Sequence, residues 1–266
     1  MPEPRGSIKR GAHRGEIDNE ETSACCHCAE SAESFSEQVD QESNAKIPSQ
    51  RFVCQLELDR SYALGVRLPP PPSGDRRLIQ IVDAALADVA RRSGGRLVCR
   101  KGCTPCCIGV FAINQLDAAR LQQGLAELEV RDPARAAAVR ARALKSVEKL
   151  SPTFPGDPVT GLLADPEGPR FADFANDELC PALDPDEGTC DLYEFRPMTC
   201  RVFGPPVRVE SGLGVCELCY QGVSDEELPK YEMVPDPEGL ESPLLKKVQE
   251  KTGRDEDTII AFCLAS

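Results

Sequence analysis

Fourteen cysteines beside only two histidines constrain this chain more than any other feature of its sequence. Four thiols crowd into nine residues, Cys99-Arg100-Lys101-Gly102-Cys103-Thr104-Pro105-Cys106-Cys107. Five more, Cys180, Cys190, Cys200, Cys216 and Cys219, spread over forty residues of turn-rich chain. Gly102, Pro105 and Gly109 call for tight turns, which several thiols need in order to converge on one centre. The amino-terminal MPEPRGSIKRGAHRGE has basic residues but no apolar stretch behind them. It therefore does not read as a secretory signal, and the expected location is a reducing cytoplasm, where structural disulfides are uncommon. A chain this rich in cysteine in such a compartment points to metal ligation or redox chemistry.

Buried, inert cysteine is the competing explanation, because a free thiol packs like a small hydrophobe. Cys54 and Cys263 stand alone and suit it. The two clusters do not, since their flanks are polar and full of turns. Basic neighbours Arg100, Lys101 and Arg201 are expected to favour thiolate, the form that ligates metal. The adjacent pair Cys106-Cys107 has Cα atoms about 3.8 Å apart across a trans peptide, below the roughly 4.4–6.8 Å of a relaxed disulfide. Both thiols on one ion are equally awkward, so one of the pair is a spare or serves a second centre. Cys25-Cys26-His27-Cys28 is read differently. Four consecutive residues cannot easily wrap a tetrahedral ion, and the surrounding sequence offers nothing structured to hold them.

Charge and hydropathy remove other classes. Lys+Arg 31 against Asp+Glu 44 leaves a net charge of −13, which argues against nucleic acid as a partner. No run of about 18 apolar residues occurs, so no membrane-spanning helix is expected. Aromatics are only 5% and prolines number 23, which predicts modest packing and many turns. His13 and His27 both fall in the amino-terminal arm, so no Ser-His-Asp or Cys-His catalytic pair can be assembled. Nucleotide fingerprints such as G-x-x-x-x-G-K-[ST] are lacking.

Residues 1–50 read as a disordered acidic arm, dominated by Ser, Glu, Gln and Gly, with no Lys or Arg between Glu16 and Glu42. Residues 51–223 read as the metal-binding domain, with its core at about 95–222, and 224–266 as a helical extension. Phe52 to Leu58 suggests a short strand, and Pro69 to Pro72 a stiff connector. Asp75 is expected to cap a helix with Leu78, Ile81, Val82, Ala85, Leu86 and Val89 on its apolar face, ending at Gly94-Gly95. Asn114 should cap a second helix, and Asp132-Pro133 a third running to Leu150. Ser151 to Arg170 reads as loop, and Asp186-Glu187-Gly188 as a hairpin turn. Ser224 with Glu227 suggests a capping box. Ser242-Pro243 should open a last helix that breaks at Gly253 and resumes near Asp255. The predicted fold is mainly α with irregular, cysteine-rich loops and a few short strands, a small α+β class.

Cys103-Thr104-Pro105-Cys106-Cys107, then Cys180-Pro181-Ala182-Leu183, then Cys190-Asp191-Leu192-Tyr193-Glu194-Phe195-Arg196-Pro197-Met198-Thr199-Cys200-Arg201 together resemble one family. These are the YkgJ-type cysteine-cluster proteins, with the zinc- or iron-chelating CxxCxxCC domain, and the likeness covers about residues 95 to 222. The resemblance implies about eight cysteine ligands: Cys99, Cys103, Cys106, Cys107, Cys180, Cys190, Cys200 and one of Cys216 or Cys219. Relatives are often labelled iron–sulfur oxidoreductases, and a related domain occurs in flagellin lysine methylase. The resemblance implies a metal centre more than it implies a reaction.

Zinc and iron–sulfur both suit thiolates. Cys103/Cys106 and Cys216/Cys219 are C-x₂-C pairs of the zinc-knuckle kind. Cys99, Cys103 and Cys106 have C-x₃-C-x₂-C spacing, a compact loop of the kind that holds a [4Fe–4S] cluster with a distant fourth ligand, and this favours iron–sulfur. The same spacing marks radical S-adenosylmethionine enzymes, but no alternating strand–helix pattern follows Cys107. Tyr193, Glu194 and Arg196 invite an active-site reading. The simpler one has Arg196 bonding carbonyls or offsetting thiolate charge while Tyr193 packs. The expected function is a metal-binding cysteine-cluster protein, with thiolates from both segments around one or two centres. An iron–sulfur-dependent redox or methyl-transferring enzyme is the alternative.

Overall fold

Caps and apolar periodicity decide where the long helices lie. In this computed structural model, which describes residues 67–209 and 212–266, α1 spans Asp75–Ser93 and stops at Gly94. The expected cap at Asp75 is corrected: Gly74 precedes the helix in a left-handed conformation, and its carbonyl takes the N–H of Leu78 at 3.1 Å. The Asp75 carboxylate is drawn away to Arg120, 2.5 and 2.8 Å from its Nη2 and Nε. After β1 (Ala112–Ile113), α2 covers Gln115–Arg131 with the Asn114 side chain accepting the Asp117 N–H at 2.9 Å. Helix α3 covers Pro133–Leu150 with Asp132 accepting from Arg135 at 3.0 Å. Both caps are those the sequence indicates.

The stretch expected to be plain loop from Ser151 to Arg170 instead holds β2 (Gly156–Asp157), β3 (Leu162–Leu163) and the start of α4 (Pro169–Ala172). Further along come the hairpin β4 (Leu183–Asp184) and β5 (Thr189–Cys190), which turns through Asp186-Glu187-Gly188 as expected. Helix α5 (Met198–Val202) and the paired strands β6 (Val207–Val209) and β7 (Gly212–Gly214) follow. The capping box at Ser224 and Glu227 is not formed. The Ser224 carbonyl, rather than its hydroxyl, accepts from Glu227 and Leu228 at 3.1 and 3.0 Å, and the chain runs into a 3₁₀ turn at Leu228–Tyr231.

Helix α6 is Glu241–Thr252, ended by a left-handed Gly253. Both Asp236 carboxylate oxygens hold its entry, accepting from Leu240 and Glu241 at 2.9 and 2.8 Å. The chain does not resume helix near Asp255. It first forms β8 (Thr258–Ile259), which lies between β1 and β3 in an antiparallel sheet of order β1-β8-β3-β2, and then α7 (Ile260–Ala265). Pairing across roughly a hundred residues leaves no local signal, which explains why these strands escape a periodicity reading.

Three apolar clusters make up most of the core. Leu121, Leu125 and Leu128 of α2 meet Val139 and Ala143 of α3 and Leu264 of α7. Leu78, Val82 and Val89 of α1 meet Leu116, Met198, Leu244 and Val248. Phe154 stacks near Phe262 (centroids 4.6 Å apart) and meets Phe174 edge-on. Arg120, only 3% exposed, joins α1 to α2 through Asp75 and Asp117. Cys263 is buried here and its Sγ donates to the Ala118 carbonyl at 3.3 Å, the inert role expected of it. The observed class is a small α+β fold, about half helical. No helix among the described residues is long and apolar enough to cross a membrane. Every strand–strand pair is antiparallel, the one parallel contact being an isolated bridge between Val207 and Met233, so the partial α/β barrel of radical S-adenosylmethionine enzymes is not formed by the described residues. The expected strand at Phe52–Leu58 and the acidic arm, with Cys25, Cys26, His27, Cys28 and Cys54, lie outside the described residues.

Candidate metal centre

Three segments bring the clustered thiols together. The first leaves α1 and carries Cys99, Cys103, Cys106 and Cys107, folded by hydrogen bonds from Cys103 N–H to the Arg100 carbonyl (2.9 Å) and from Cys107 N–H to the Thr104 carbonyl (2.7 Å). Pro105–Cys107 is a single 3₁₀ turn. The second segment is stitched directly to it: Cys180 N–H donates to the Cys107 carbonyl at 2.8 Å and Gly109 N–H to the Glu178 carbonyl at 2.6 Å, flanking an antiparallel bridge between Ile108 and Leu179. Cys190 sits on β5 opposite Leu183. The next residue, Asp191, has a fully buried side chain clamped by Arg135 and, at 2.5 Å, by Arg142 of α3. Cys200 rides on α5, whose Met198 N–H donates to the Asp117 carboxylate at 2.9 Å. The third segment follows β7. Cys219 N–H donates to the Cys216 carbonyl at 2.9 Å, and Tyr220 N–H reaches back to the Arg96 carbonyl at 2.8 Å.

Two glycines allow these approaches. A Cβ on Gly204 would stand 2.6 Å from the Cβ of Cys99 and 3.0 Å from its sulfur. A Cβ on Gly124 in α2 would stand 2.4 Å from the ring of Phe195, which lies between Cys190 and Cys200 in the sequence.

Burial pushes the Cys99 thiol up to about 11, with Cys103, Cys106 and Cys216 adding to the effect and Arg196 opposing it. Cys103 is raised by burial and then by Cys106 and Cys216. Burial and then Cys190 lift Cys180 to about 12, against the backbone N–H groups of Ala182 and Leu183. Cys190 reaches about 11 through burial, opposed by the Leu192 N–H and Arg196. Cys200 is raised by burial, then by Cys180, Cys106 and Cys190. Cys219 reaches about 11 through burial, with the N–H groups of Val98 and Cys99 pulling the other way. The expectation that basic neighbours would tip these groups to thiolate is therefore corrected: desolvation and mutual repulsion outweigh them. Arg201 does not serve the thiols either. It is spent on Asp83 at 2.6 Å and on the carbonyls of Glu194 and Arg196. Arg196 takes that role. Its guanidinium stacks 3.9 Å above the Tyr193 ring, donates to the Tyr193 carbonyl at 2.7 Å, and lowers both Cys99 and Cys190. The carbonyl bond is of the kind the sequence reading gave Arg196; the stacking on Tyr193 it did not foresee.

Cys99, Cys103, Cys106, Cys107, Cys180, Cys190 and Cys200 line a cavity of about 110 Å³. None of the ten described cysteines is in a disulfide. Among the described residues, no three Cys, His, Asp or Glu side chains are drawn close enough round one point to hold an ion as they stand. The thiols are neighbours, not yet a closed shell. Their donor chemistry still fits zinc or iron, which take thiolate sulfur, and backbone N–H groups aimed at Cys180, Cys190 and Cys219 are of the kind that stabilise ligated thiolate. A preformed ligand shell is not required for that fit, because metal binding itself drives out the protons and supplies the folding energy.

An α+β scaffold that gathers nine cysteines from three segments around one region defines a thiol-cluster protein of the metal-chelating class. Residues 98–220, just under half the chain, match the family described as CxxCxxCC, "Putative zinc- or iron-chelating domain", and carry a domain of that family. No curated protein and no solved structure matches the chain.

Proposed function

We propose that the domain binds zinc or an iron–sulfur cluster through thiolates drawn from Cys99, Cys103, Cys106, Cys107, Cys180, Cys190, Cys200, Cys216 and Cys219, for structure, storage or delivery and without turnover. The observation that carries this reading is convergence. Cys106 and Cys180 are far apart in the chain, yet the Cys180 N–H is bonded to the Cys107 carbonyl at 2.8 Å and both thiols line one cavity with Cys99, Cys103, Cys190 and Cys200. Free thiols suit a reducing compartment such as the cytoplasm. A bound ion would cross-link the three segments. The chain's own part is to present sulfurs, direct N–H groups at them and place Arg196 beside the resulting negative charge.

The cavity of about 110 Å³ beside the thiols favours a second reading, an iron–sulfur-dependent redox or methyl-transferring enzyme, because it leaves room for a small group next to a centre. Elemental analysis and the visible spectrum of anaerobically purified protein test both. Zinc, or iron with labile sulfide, is expected at stoichiometric levels. Protein that carries neither and takes up neither when reduced overturns the metal-binding reading. A spectrum that bleaches reversibly on reduction favours the enzyme over the static module.

A further inference from the structure

Helix α3 presents a polar seam to the second thiol segment. Arg135, Arg142, Ser146 and Lys149 recur at helical spacing and so share one face, beside the apolar stripe of Ala136, Val139, Ala143 and Val147. Each holds part of the chain from Glu178 to Asp191. Lys149 Nζ pairs with Glu178 at 2.6 Å, and the Ser146 hydroxyl donates to the same carboxylate. Arg142 donates from Nε to the Pro181 carbonyl at 2.9 Å and from Nη2 to Asp191 at 2.5 Å. Arg135 reaches Asp184, Glu187 and Asp191. The segment is thus laid antiparallel along the helix, with Glu178 near its end and Asp184 near its start.

Arg142 differs from the others in what it joins. Pro181 directly follows Cys180, Asp191 directly follows Cys190, and both thiols line the cavity. One guanidinium therefore holds the backbone beside one cysteine and the side chain beside the other. The Asp191 carboxylate is fully buried and depends on such partners, while its N–H closes the hairpin on the Ala182 carbonyl at 2.8 Å. From Cys180 the hold passes to the first segment, through its N–H on the Cys107 carbonyl at 2.8 Å. We infer that Arg142 is a positioning residue of the thiol site, setting where Cys180 and Cys190 stand when a metal is bound. This rests on the proposed metal-binding function and deepens it. Arginine is required because Nε and Nη2 donate in parallel from one planar edge to two acceptors. An ammonium lacks that fixed fork, so lysine keeps the charge beside Asp191 without fixing both residues.

The test titrates the reduced, metal-free full chain anaerobically with cadmium against a competing chelator, read by thiolate-to-cadmium charge-transfer absorption. Arg142→Lys is expected to keep the circular dichroism of wild type, to bind cadmium roughly 10- to 100-fold more weakly, and to show less thiolate absorption per bound ion. Arg140→Lys changes a neighbour on the same helix that pairs instead with Glu129, and should match wild type. Asp191→Asn is the second probe, with the same weakening and loss of absorption expected. Wild-type affinity and absorption in either variant when folded, even with a lower metal-free melting midpoint, makes the seam a prop of the fold only and overturns the proposal. Loss of fold in both variants does the same, as does equal weakening in Arg140→Lys. Wild type that binds no cadmium refutes the metal-binding reading itself, a result distinct from wild type and Arg142→Lys binding equally well.

Discussion

Gly124→Ala sets two effects of known size against each other. Gly124 lies in the middle of α2, where Ala gains about 1 kcal/mol of helix propensity over Gly. The added Cβ, however, would stand 2.4 Å from Cγ, 2.6 Å from Cβ and 2.7 Å from Cδ2 of Phe195. The clash is at the root of the side chain. Rotating the ring does not relieve it, and the 3₁₀ turn Tyr193–Phe195 has to move. Overpacking of this kind costs about 1–3 kcal/mol, and contact with the least movable atoms places it at the upper end. The balance is a loss of about 1–2 kcal/mol after subtracting the propensity gain. At about 2–4 °C per kcal/mol for a chain of this size, thermal unfolding followed by circular dichroism should fall by roughly 2–8 °C. In a Phe195→Gly background the Cβ, Cγ and Cδ2 that it meets are all gone and the propensity gain remains, so the same substitution should raise the midpoint there. Equal effects in both backgrounds, or a Gly124→Ala protein as stable as wild type, would refute the argument that Phe195 dictates glycine at this position.

Gly204→Ala, with its Cβ 2.6 Å from that of Cys99, should displace this thiol and lower the metal retained per chain, read by elemental analysis; full retention would show that metal binding does not depend on where Cys99 sits. Arg120→Met leaves the buried Asp75 and Asp117 carboxylates facing each other, and should cost about 3–5 kcal/mol in urea denaturation, far above a surface change. Removing bound metal should lower the thermal midpoint, since a ligand at 100 times its dissociation constant adds about 2.7 kcal/mol to the folded state; an unchanged melting curve after complete removal counts against metal-dependent folding. Cys28→Ser should leave metal per chain unchanged by elemental analysis, and any loss would bring the amino-terminal cysteines into a centre.

The parts of the fold that depend on neighbours in sequence were legible in it. Asn114, Asp132 and Pro133 announce the starts of α2 and α3, and Leu116, Leu121, Leu125 and Leu128 mark the buried face because their spacing is helical. Asp75 looks like a cap for the same local reason, and fails because Arg120, forty-five residues on, competes for its carboxylate. The two-residue strands around β8 had no chance of detection: Leu162 faces Thr258 and Ala112 faces Ile259, and nothing near any of them records the partner. Asp191 is a similar case. Within Cys190-Asp191-Leu192 it reads as one more surface acid, yet two arginines on α3 bury it and so fix the height of Cys190.

Thiol spacing carries the class of chemistry. C-x₃-C-x₂-C in one loop suggests that Cys99, Cys103 and Cys106 serve a single centre, because short spacing makes convergence easy, and all three line one cavity. Between Cys103 and Cys106 the chain enters a 3₁₀ turn whose end is hydrogen-bonded to Cys180, so Cys106 is carried toward the second segment. Cys99 is meanwhile held against Gly204 and the turn at Cys216. The loop is thus anchored at both ends by partners far along the chain, Gly204 against Cys99 and Cys180 on the Cys107 carbonyl. The same reasoning explains Arg196. Arg100, Lys101 and Arg201 are nearer to cysteines in sequence, but Arg201 is consumed by Asp83 and by backbone carbonyls, whereas stacking on Tyr193 holds Arg196 where it acts on both thiol groups. A site that links distant segments is specified by the contacts that bring them together, so the residues that place its thiols need not carry thiols themselves.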